Sequence, residues 1–365
     1  MNKKVSKLFN LPQPAQRSQE WFMQRNRQVT ASEVASCLFL KTEVIEVYNK
    51  TFPKTPLKNN PCKSANNYET LDEYIKKKCN VYYSSNYEPF RDTIYTLHGK
   101  LYEPVATRFY SINKKYNVND FGLITHSKLK WLAASPDGIT DDGIMLEIKC
   151  PLSRKIDRES IPFGYWLQTQ IQMEVCDLDE CDFLECEISQ ITETEFFNLE
   201  DSVITDGLAG IIIEKENDGN KTYDYPDKTI ITKDMFKEFM KTENNKIYYK
   251  INNWNIISIK RSKEWFKNIK NDLHTVYKRI QKYQNSRELY NKYLETFNGP
   301  LYKKSLITLD KEEIEFTDDI LTTMDIEDLS ESESEIDVEM NIEYTLDSSM
   351  DTTSISCNIS YEIDL

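Results

Sequence analysis

The sequence predicts an α/β fold, with a central mixed sheet flanked by helices and a helical C-terminal extension. Residues 98–110 carry apolar side chains at helical spacing, whereas residues 121–125 and 129–134 are short apolar runs typical of strands. Residues 264–283 form a long apolar stripe, with lysines and arginines on the other faces, which is typical of an amphipathic helix. Because the spacing of apolar residues changes along the chain from the helical to the strand period, we expect a layer of strands packed against layers of helices.

The same two periodicities place each element along the chain. The predicted helices are residues 21–40, 68–78, 98–110, 162–175 and 264–283, and the predicted strands are residues 121–125, 129–134, a strand around Glu147, and 182–188, with a late hairpin that pairs 246–251 with 254–259. Thr30 and Glu33 fit a capping box inside the first helix, with Thr30 as the N-cap. Pro104 must lie in the first turn of its helix or bend it, because proline has no backbone N–H.

The composition permits a sizeable hydrophobic core. The chain has 365 residues, of which 39% are apolar and 12% aromatic, enough for one large domain or two. No apolar run approaches the roughly 20 residues that a membrane helix needs, and no apolar signal-peptide region follows the N-terminus. The 8 cysteines lack the spacing of a zinc site, which favours free buried thiols in a reducing compartment. We therefore expect an intracellular protein that is not secreted and has no membrane partner.

Charge is distributed unevenly along the chain. The formal net charge is −14, yet residues 306–365 alone hold 19 acidic side chains and one basic one. The remaining residues are therefore mildly basic, which is compatible with a nucleic-acid partner. We predict three parts: a core with an N-terminal helical region at residues 1–210, a C-terminal extension (hairpin plus amphipathic helix) at 211–304, and an acidic, disordered tail at 305–365.

The most informative pattern lies between Asp137 and Lys149. Asp137 precedes a turn-rich segment at residues 140–143, and Glu147-Ile148-Lys149 follows on the next predicted strand. Alternate side chains of a strand share a face, so Glu147 and Lys149 point the same way, and a hairpin can bring Asp137 beside them. Two carboxylates suit Mg²⁺ or Mn²⁺, and the ammonium can hold an attacking water or offset charge in the transition state. The pattern indicates a metal-ion phosphodiesterase site, although each half of it also occurs on ordinary protein surfaces.

Four further side chains fit the same chemistry. Glu103, on a predicted helix, could supply a third carboxylate or be an ordinary surface glutamate. Gln168 and Gln172 share one face of the helix that follows the motif, with Gln170 roughly opposite. Their amides could bind a phosphate oxygen or a water, or only satisfy hydrogen bonds in the core.

Arg25, Arg27 and Ser32 form a candidate anion site near the start of the chain. Free backbone N–H groups at a helix N-terminus attract phosphate, and a guanidinium binds it through two hydrogen bonds. A plain helix cap would use the same residues, so both interpretations stay open.

Together these motifs resemble the phage lambda exonuclease and YqaJ viral recombinase branch of the PD-(D/E)XK nucleases, of the type found in large DNA viruses. The matching stretches are Trp21…Arg25…Val29-Thr30-Ala31-Ser32-Glu33, His98-Gly99-Lys100-Leu101-Tyr102-Glu103-Pro104, Ala134-Ser135-Pro136-Asp137-Gly138, Leu146-Glu147-Ile148-Lys149-Cys150-Pro151 and Tyr165-x-x-Gln168-x-Gln170-x-x-Met173. Five blocks in the same order over residues 18–188 are far more specific than any one block.

The resemblance implies a restriction-endonuclease-like core and a metal site within it. Asp137, Glu147 and the Ile148 carbonyl are implied to bind the divalent metal, Mg²⁺ or Mn²⁺, and Glu103 to support or join them. Lys149 is implied to position or activate the attacking water.

The resemblance also implies how substrate is bound. Gln168 is implied to be the helix-borne partner of the catalytic residues. Arg25 and Ser32 match positions that receive a terminal 5′-phosphate, and we group Gln170 with them as substrate-binding. Residues 26–28 depart from the small and apolar residues expected before Val29.

The function implied is Mg²⁺-dependent hydrolysis of phosphodiester bonds in linear double-stranded DNA with a free end, from 5′ to 3′, for viral recombination and repair. The implied partner is a single-strand annealing protein, an oligomer is compatible, and the implied location is the host cytoplasm or a viral factory. Three alternatives stay open: an endonuclease of the same superfamily, an RNA-directed nuclease, and a non-catalytic DNA-binding recombination partner. The acidic tail could mimic DNA and inhibit the protein, dock the annealing protein, or only aid solubility.

Overall fold

The structure, a computed structural model, describes residues 1–83, 92–217, 220–241, 244–298, 338–346 and 355–363. The helices in these ranges are α1 (Lys3–Phe9), α2 (Gln19–Asn26), α3 (Thr42–Thr51), α4 (Leu71–Tyr83), α5 (Ile94–Lys114), α6 (Phe163–Cys176), α7 (Glu193–Asn198), α8 (Asp201–Thr205), α9 (Lys233–Phe239), α10 (Lys263–Asn285) and α11 (Arg287–Asn298), with a 3₁₀ helix at Ala31–Cys37. The strands are β1 (Val29–Thr30), β2 (Phe39–Leu40), β3 (Asn60–Ser64), β4 (Val118–Asn119), β5 (Ile124–Thr125), β6 (Leu132–Ala134), β7 (Gly138–Thr140), β8 (Met145–Lys149), β9 (Glu180–Ile191), β10 (Ala209–Asn217), β11 (Asn220–Asp224), β12 (Asn245–Lys260), β13 (Val338–Leu346) and β14 (Ile355–Ile363).

Seven strands form a mixed central sheet in the order β11-β10-β12-β9-β8-β7-β4. Within this sheet β8 and β9 run parallel, and the other neighbours are antiparallel. A parallel pair needs a crossover connection, and α6 supplies it between β8 and β9. The predicted α/β class, with a mixed sheet, flanking helices and a helical C-terminal region, is therefore confirmed.

The two faces of β8 have different neighbours. Leu146 and Ile148 lie in a hydrophobic core with Val105 and Phe109 of α5. Glu147 alternates with them and contacts α6 on the opposite face. The period of two along one short strand thus directs apolar groups to α5 and a carboxylate to α6.

The helix predicted over residues 21–40 is wrong in its middle. α2 ends at Asn26, and Val29–Thr30 forms β1, which pairs in parallel with Leu132–Ala133 of β6. β-Branched residues favour an extended backbone, and this distant pairing outweighs the helical pattern. The capping box is also wrong: Thr30 makes no side-chain cap, and its Oγ1 donates to Oε2 of Glu33 at 2.7 Å.

The hairpin predicted at residues 246–259 is a single strand. β12 pairs antiparallel with β9 from Tyr248 to Lys260. The register shifts between Ile251 and Asn253, so the two asparagines mark a β-bulge where a turn was expected. Asn-Asn fits both features, and only the distant partner strand decides between them.

The other elements around the motif are confirmed in type. The predicted helices at 68–78, 98–110, 162–175 and 264–283 correspond to α4, α5, α6 and α10, and the strands at 121–125, 129–134, around Glu147 and 182–188 correspond to β5, β6, β8 and β9. α5 begins earlier than predicted, so Pro104 lies well inside it and not in its first turn.

The chain divides into two compact units, Met1–Asn59 with Ser64–Gln284, and Asn60–Lys63 with Asn285–Leu365. The first unit runs across the boundary predicted at residue 210, because β10 joins β12 in the central sheet.

The second unit contains an antiparallel hairpin of β13 and β14. Both strands alternate apolar and polar residues, which is the pattern of a strand. The rest of the tail predicted to be disordered lies outside the described residues.

The structure describes the state of the cysteines and the apolar character of the helices. The described cysteines are free, and six of them are buried: Cys37, Cys79, Cys150, Cys176, Cys181 and Cys186. Among the described helices, none combines the length and apolar character that crossing a membrane requires.

Candidate active site

The β7–β8 hairpin brings Asp137 beside Glu147. Asp137 directly precedes β7, and Gly143 closes the turn with φ 88°, a backbone conformation that strains other residues. Oδ2 of Asp137 accepts a hydrogen bond from the backbone N–H of Ile148 at 2.7 Å. The carboxylate is therefore held against the strand that carries Glu147, as the spacing predicted.

Glu147 is fully buried and receives three hydrogen-bond donors. Its Oε1 accepts from Nε2 of Gln168 at 2.7 Å and from the Lys149 ammonium. Its Oε2 accepts from Nε2 of Gln172 at 2.7 Å. Because Gln168 and Gln172 lie four residues apart on α6, both amides reach one carboxylate and fix its orientation.

The Lys149 ammonium lies between Glu147 and the ring of Tyr165, whose centroid is 4.9 Å away. Burial disfavours the charged ammonium, but the carboxylates of Glu147 and Asp137 outweigh burial and raise the pKa of Lys149 above its usual value. Lys149 therefore stays protonated at neutral pH. It can donate a hydrogen bond or stabilise negative charge, and it is a poor proton acceptor.

Negative charge is concentrated around Asp137 and Glu103. Burial, and then Glu147, raise the pKa of Asp137 well above its ordinary value. Burial also raises the pKa of Glu103, against the opposing effects of Arg17 and Lys149. Nη2 of Arg17 lies 3.4 Å from Oε2 of Glu103. The side chains of Asp137 and Glu103 are half-buried, and partly desolvated carboxylates that repel one another favour a bound cation.

These residues fit a small divalent cation. Mg²⁺ usually keeps several waters and is held by one or two carboxylates with substrate phosphate, and Asp137 and Glu147 supply such a pair. Among the described residues, no three His, Cys, Asp or Glu side chains converge closely enough to hold a metal by themselves. Glu103 therefore stands near the pair without completing a three-carboxylate site. The use of the Ile148 carbonyl as a ligand stays a prediction.

Gln170 lies away from Glu147 and contacts the junction of β12 and α10. Its side chain is buried, its Nε2 donates to the Lys260 carbonyl at 2.9 Å, and its Oε1 accepts from the Ser262 N–H at 2.8 Å. Both ends of the amide are thus used to hold α6. The structure separates Gln170 from the substrate-binding residues with which we grouped it, and puts Gln172 in contact with Glu147 instead.

Arg25 and Ser32 are brought together, as predicted. Nη2 of Arg25 donates to Oγ of Ser32 at 3.1 Å, and the guanidinium lies 4.4 Å from the Trp21 ring centroid. Ser32 is exposed but belongs to a 3₁₀ helix of 7 residues, so the α-helix start that we expected there is absent. The arrangement offers an anion a guanidinium and a hydroxyl. Arg27 is exposed on the protein surface.

An ion pair between the half-exposed Arg154 and the buried Glu185, beside the site, was not predicted. Glu185 lies opposite Lys149 in the parallel β8–β9 pairing and accepts from the Arg154 guanidinium. The Arg154 guanidinium also lies 5.9 Å from the Tyr165 ring centroid. This pair fastens the loop after β8 to the sheet. Its members are distant in sequence, so no local spacing indicates it.

Residues 20–179 match the family model of the YqaJ-like viral recombinase domain. The matched range contains the residues of the site, from Arg25 to Gln172. An uncharacterized protein, R354 of Acanthamoeba polyphaga mimivirus, is 28% identical over 278 residues, which cover 66% of this chain and 45% of that protein. The chain thus spans less than half the length of this curated relative.

Two solved exonucleases are similar at low identity. LHK-Exo, an alkaline exonuclease from Laribacter hongkongensis that has also been solved in complex with dAMP, is 18% identical, with a TM-score of 0.42 over 76% of this chain and 100% of that chain. A phage related exonuclease from Haemophilus somnus is 13% identical, with a TM-score of 0.41 over 70% of this chain and 94% of that chain.

Proposed function

Because residues 20–179 match the family model of the YqaJ-like viral recombinase domain, we propose that this protein is a metal-dependent exonuclease that hydrolyses the phosphodiester bonds of linear duplex DNA. The observation that carries the proposal is the group of Asp137, Glu147 and Lys149 on one hairpin, with Glu147 held by two amides of α6. Two carboxylates can hold a metal ion that assists phosphodiester hydrolysis, and a fixed ammonium can stabilise the charge that develops on the phosphate.

Asp137 and Glu147 would hold Mg²⁺ or Mn²⁺, which when bound supplies a Lewis acid to the phosphate. Gln168 and Gln172 keep the Glu147 carboxylate in one orientation, so little reorganisation is needed when the site is loaded. Lys149 places a positive charge where the attacked phosphate gains negative charge, and its N–H groups can hold the attacking water. The raised pKa of Lys149 supports this role of donor and charge.

We propose resection from 5′ to 3′, with a terminal 5′-phosphate bound by Arg25 and Ser32. The contact between the Arg25 guanidinium and the exposed Ser32 hydroxyl supports this placement. The 3′ strand left behind would be the substrate of a single-strand annealing protein, and the implied setting is viral recombination inside the host cell.

The deciding experiment is digestion of linear duplex DNA, with and without a 5′-phosphate, beside closed circular DNA and single-stranded RNA. Each substrate is incubated with Mg²⁺ or with EDTA. We expect Mg²⁺-dependent loss of the linear DNA alone, abolished in Lys149→Ala and retained in Lys237→Ala, which removes an exposed lysine of α9. Nicking of the circle would establish an endonuclease instead. Degradation of RNA alone, or of no substrate, would reject the proposal.

A further inference from the structure

Lys78 of α4 is a buried lysine whose ammonium has three acceptors. Its side chain is 3% exposed, and its Nζ donates to the carbonyls of Arg25 at 2.6 Å and Gln28 at 2.9 Å. Nζ also lies 2.8 Å from Oε2 of Glu33. Burial lowers the pKa of Lys78, and Glu33 opposes that shift. Three acceptors match the three N–H bonds of an ammonium, so Lys78 is held in its charged form with no donor left for a substrate.

Glu33 lies between Lys78 and Arg25. Its Oε2 accepts from Oγ1 of Thr30 at 2.7 Å, and its Oε1 lies 3.7 Å from Nη2 of Arg25. Burial raises the pKa of Glu33, but the charges of Lys78 and Arg25 outweigh burial and lower it to about 2. An ionised carboxylate therefore lies beside the guanidinium that the proposed function assigns to a terminal phosphate.

The charge of this group depends on Lys78. Arg25 and Glu33 together are neutral, and a neutral pair attracts a phosphate only weakly. Lys78 adds one positive charge and engages Glu33 at the shorter distance, which leaves the charge of Arg25 in excess. Because Lys78 is buried and the Arg25 side chain is 20% exposed, that excess is presented to solvent at Arg25.

We propose that Lys78 is a positioning residue that sets the preference for a 5′-phosphate end. It neutralises Glu33 and fixes the carbonyls at the end of α2, so that Arg25 faces the phosphate with an uncompensated charge. The inference rests on the proposed 5′-phosphate site and adds to it a residue that does not touch the substrate. Lys78 lies outside the five sequence blocks that carry the family resemblance.

The test measures binding of fluorescent duplexes with a 5′-phosphate or a 5′-hydroxyl end, in EDTA so that no cleavage occurs. We expect the wild-type protein to prefer the phosphorylated end and Lys78→Met to lower that preference about tenfold. Affinity for the 5′-hydroxyl duplex should change less than about twofold. Lys77→Met is the control for loss of a neighbouring charge, because Lys77 precedes Lys78 on α4 but is 48% exposed and pairs with Glu69. The charge of Lys77 acts on Glu33 less than that of Lys78 does, so Lys77→Met should lower the preference less than Lys78→Met.

A second substitution separates charge from folding. Adding Glu33→Gln to Lys78→Met restores one net positive charge to the group, so the preference for the phosphorylated end should return to within about threefold of wild type. A purely structural role predicts no such recovery. If Lys78→Met does not fold, the Glu33→Gln variant alone tests the proposal. Removal of the competing carboxylate should leave the preference for the phosphorylated end equal to that of wild type or stronger.

The outcomes distinguish the two proposals. A wild-type protein that binds both ends alike overturns the 5′-phosphate site and the role of Lys78 with it. A wild-type protein that discriminates, with a Lys78→Met variant that discriminates equally or loses both ends equally, overturns the role of Lys78 alone. A weaker preference in Glu33→Gln than in wild type also overturns it.

Discussion

Gln172 donates a hydrogen bond to Oε2 of Glu147 at 2.7 Å, and neither side chain is exposed to solvent. Gln168 binds the other oxygen of the same carboxylate. α6 therefore acts on the candidate metal ligand through neutral amides, which fix its orientation without adding charge. A metal ligand held in this way depends on its hydrogen-bond donors as well as on its own identity.

We expect Gln172→Leu to lower Mn²⁺ affinity and the Mg²⁺-dependent cleavage rate about 10- to 100-fold, because Oε2 of Glu147 loses its donor. Calorimetric Mn²⁺ titration and cleavage rates measure the two effects. Gln170→Leu is the matched control: it should destabilise the fold by about 1–3 kcal/mol and leave Mn²⁺ affinity nearly unchanged. Equal losses of Mn²⁺ affinity in both variants would contradict the assignment.

Lys149→Met should lower the cleavage rate about 10²- to 10³-fold, because the fixed positive charge beside the phosphate is lost. Duplex affinity in EDTA should stay close to that of wild type. Single-turnover cleavage and fluorescence anisotropy separate the two quantities. A variant that cleaves normally would show that the ammonium only neutralises the two carboxylates.

Stability of the metal-free protein should fall as pH rises. The pKa of Asp137 is raised in the folded state by burial and by Glu147. Between the pKa of Asp137 in the unfolded chain and its higher pKa in the folded protein, the folded protein keeps a proton that the unfolded chain has released. The free energy of unfolding therefore decreases above about pH 4, where an unfolded aspartate ionises. Lys149 adds no slope there, because the effect of its raised pKa is lost only in strongly alkaline solution.

Urea unfolding in EDTA, from about pH 4.5 to about pH 8, measures this slope. Asp137→Asn should make the slope shallower, and saturating Mg²⁺ should oppose it in the wild-type protein. The raised pKa values of Glu103 and Glu185 add to the slope that remains, and the lowered pKa of the half-buried His274 opposes it. An identical slope in Asp137→Asn would show that Asp137 is not the group that titrates.

A fragment that ends at residue 210 should not fold cooperatively, whereas residues 1–304 should. β12 pairs with β9 in the central sheet, and Trp265 of α10 is buried against Trp166 with ring centroids 5.1 Å apart. Nε1 of Trp265 also donates to the Val44 carbonyl at 3.0 Å. Loss of β12 and α10 exposes one edge of β9 and the apolar face of α6. Circular dichroism during thermal unfolding distinguishes the two fragments.

Removal of residues 306–365 should raise affinity for duplex DNA at low salt, because 19 acidic side chains then no longer compete with DNA for the basic body. Binding constants over a range of salt concentrations measure the effect. Unchanged affinity with unchanged salt dependence would leave the tail as a docking or solubilising segment.

The spacing of residues in the sequence predicted the contacts of the candidate site correctly where the contacting residues are close together in the chain. Asp137, Glu147 and Lys149 fall within one hairpin, so turn residues and strand alternation predicted that they meet. The spacing did not predict contacts between residues that are distant in the sequence. Val29 was predicted to be helical, but it pairs with β6 as a strand. Gln172 and Gln168 were predicted to share a helix face, but the sequence did not indicate that both would bind Glu147.

The family match ends at residue 179, and β9 begins at Glu180. The strand beside the one that carries Glu147 and Lys149 is thus supplied from outside the recognisable domain, and β8 needs from it a ladder of backbone hydrogen bonds. Leu184 and Cys186 of β9 also pack in the same core as Leu146 and Ile148 of β8. The position of Glu147 and Lys149 therefore depends on residues that lie beyond the matched range.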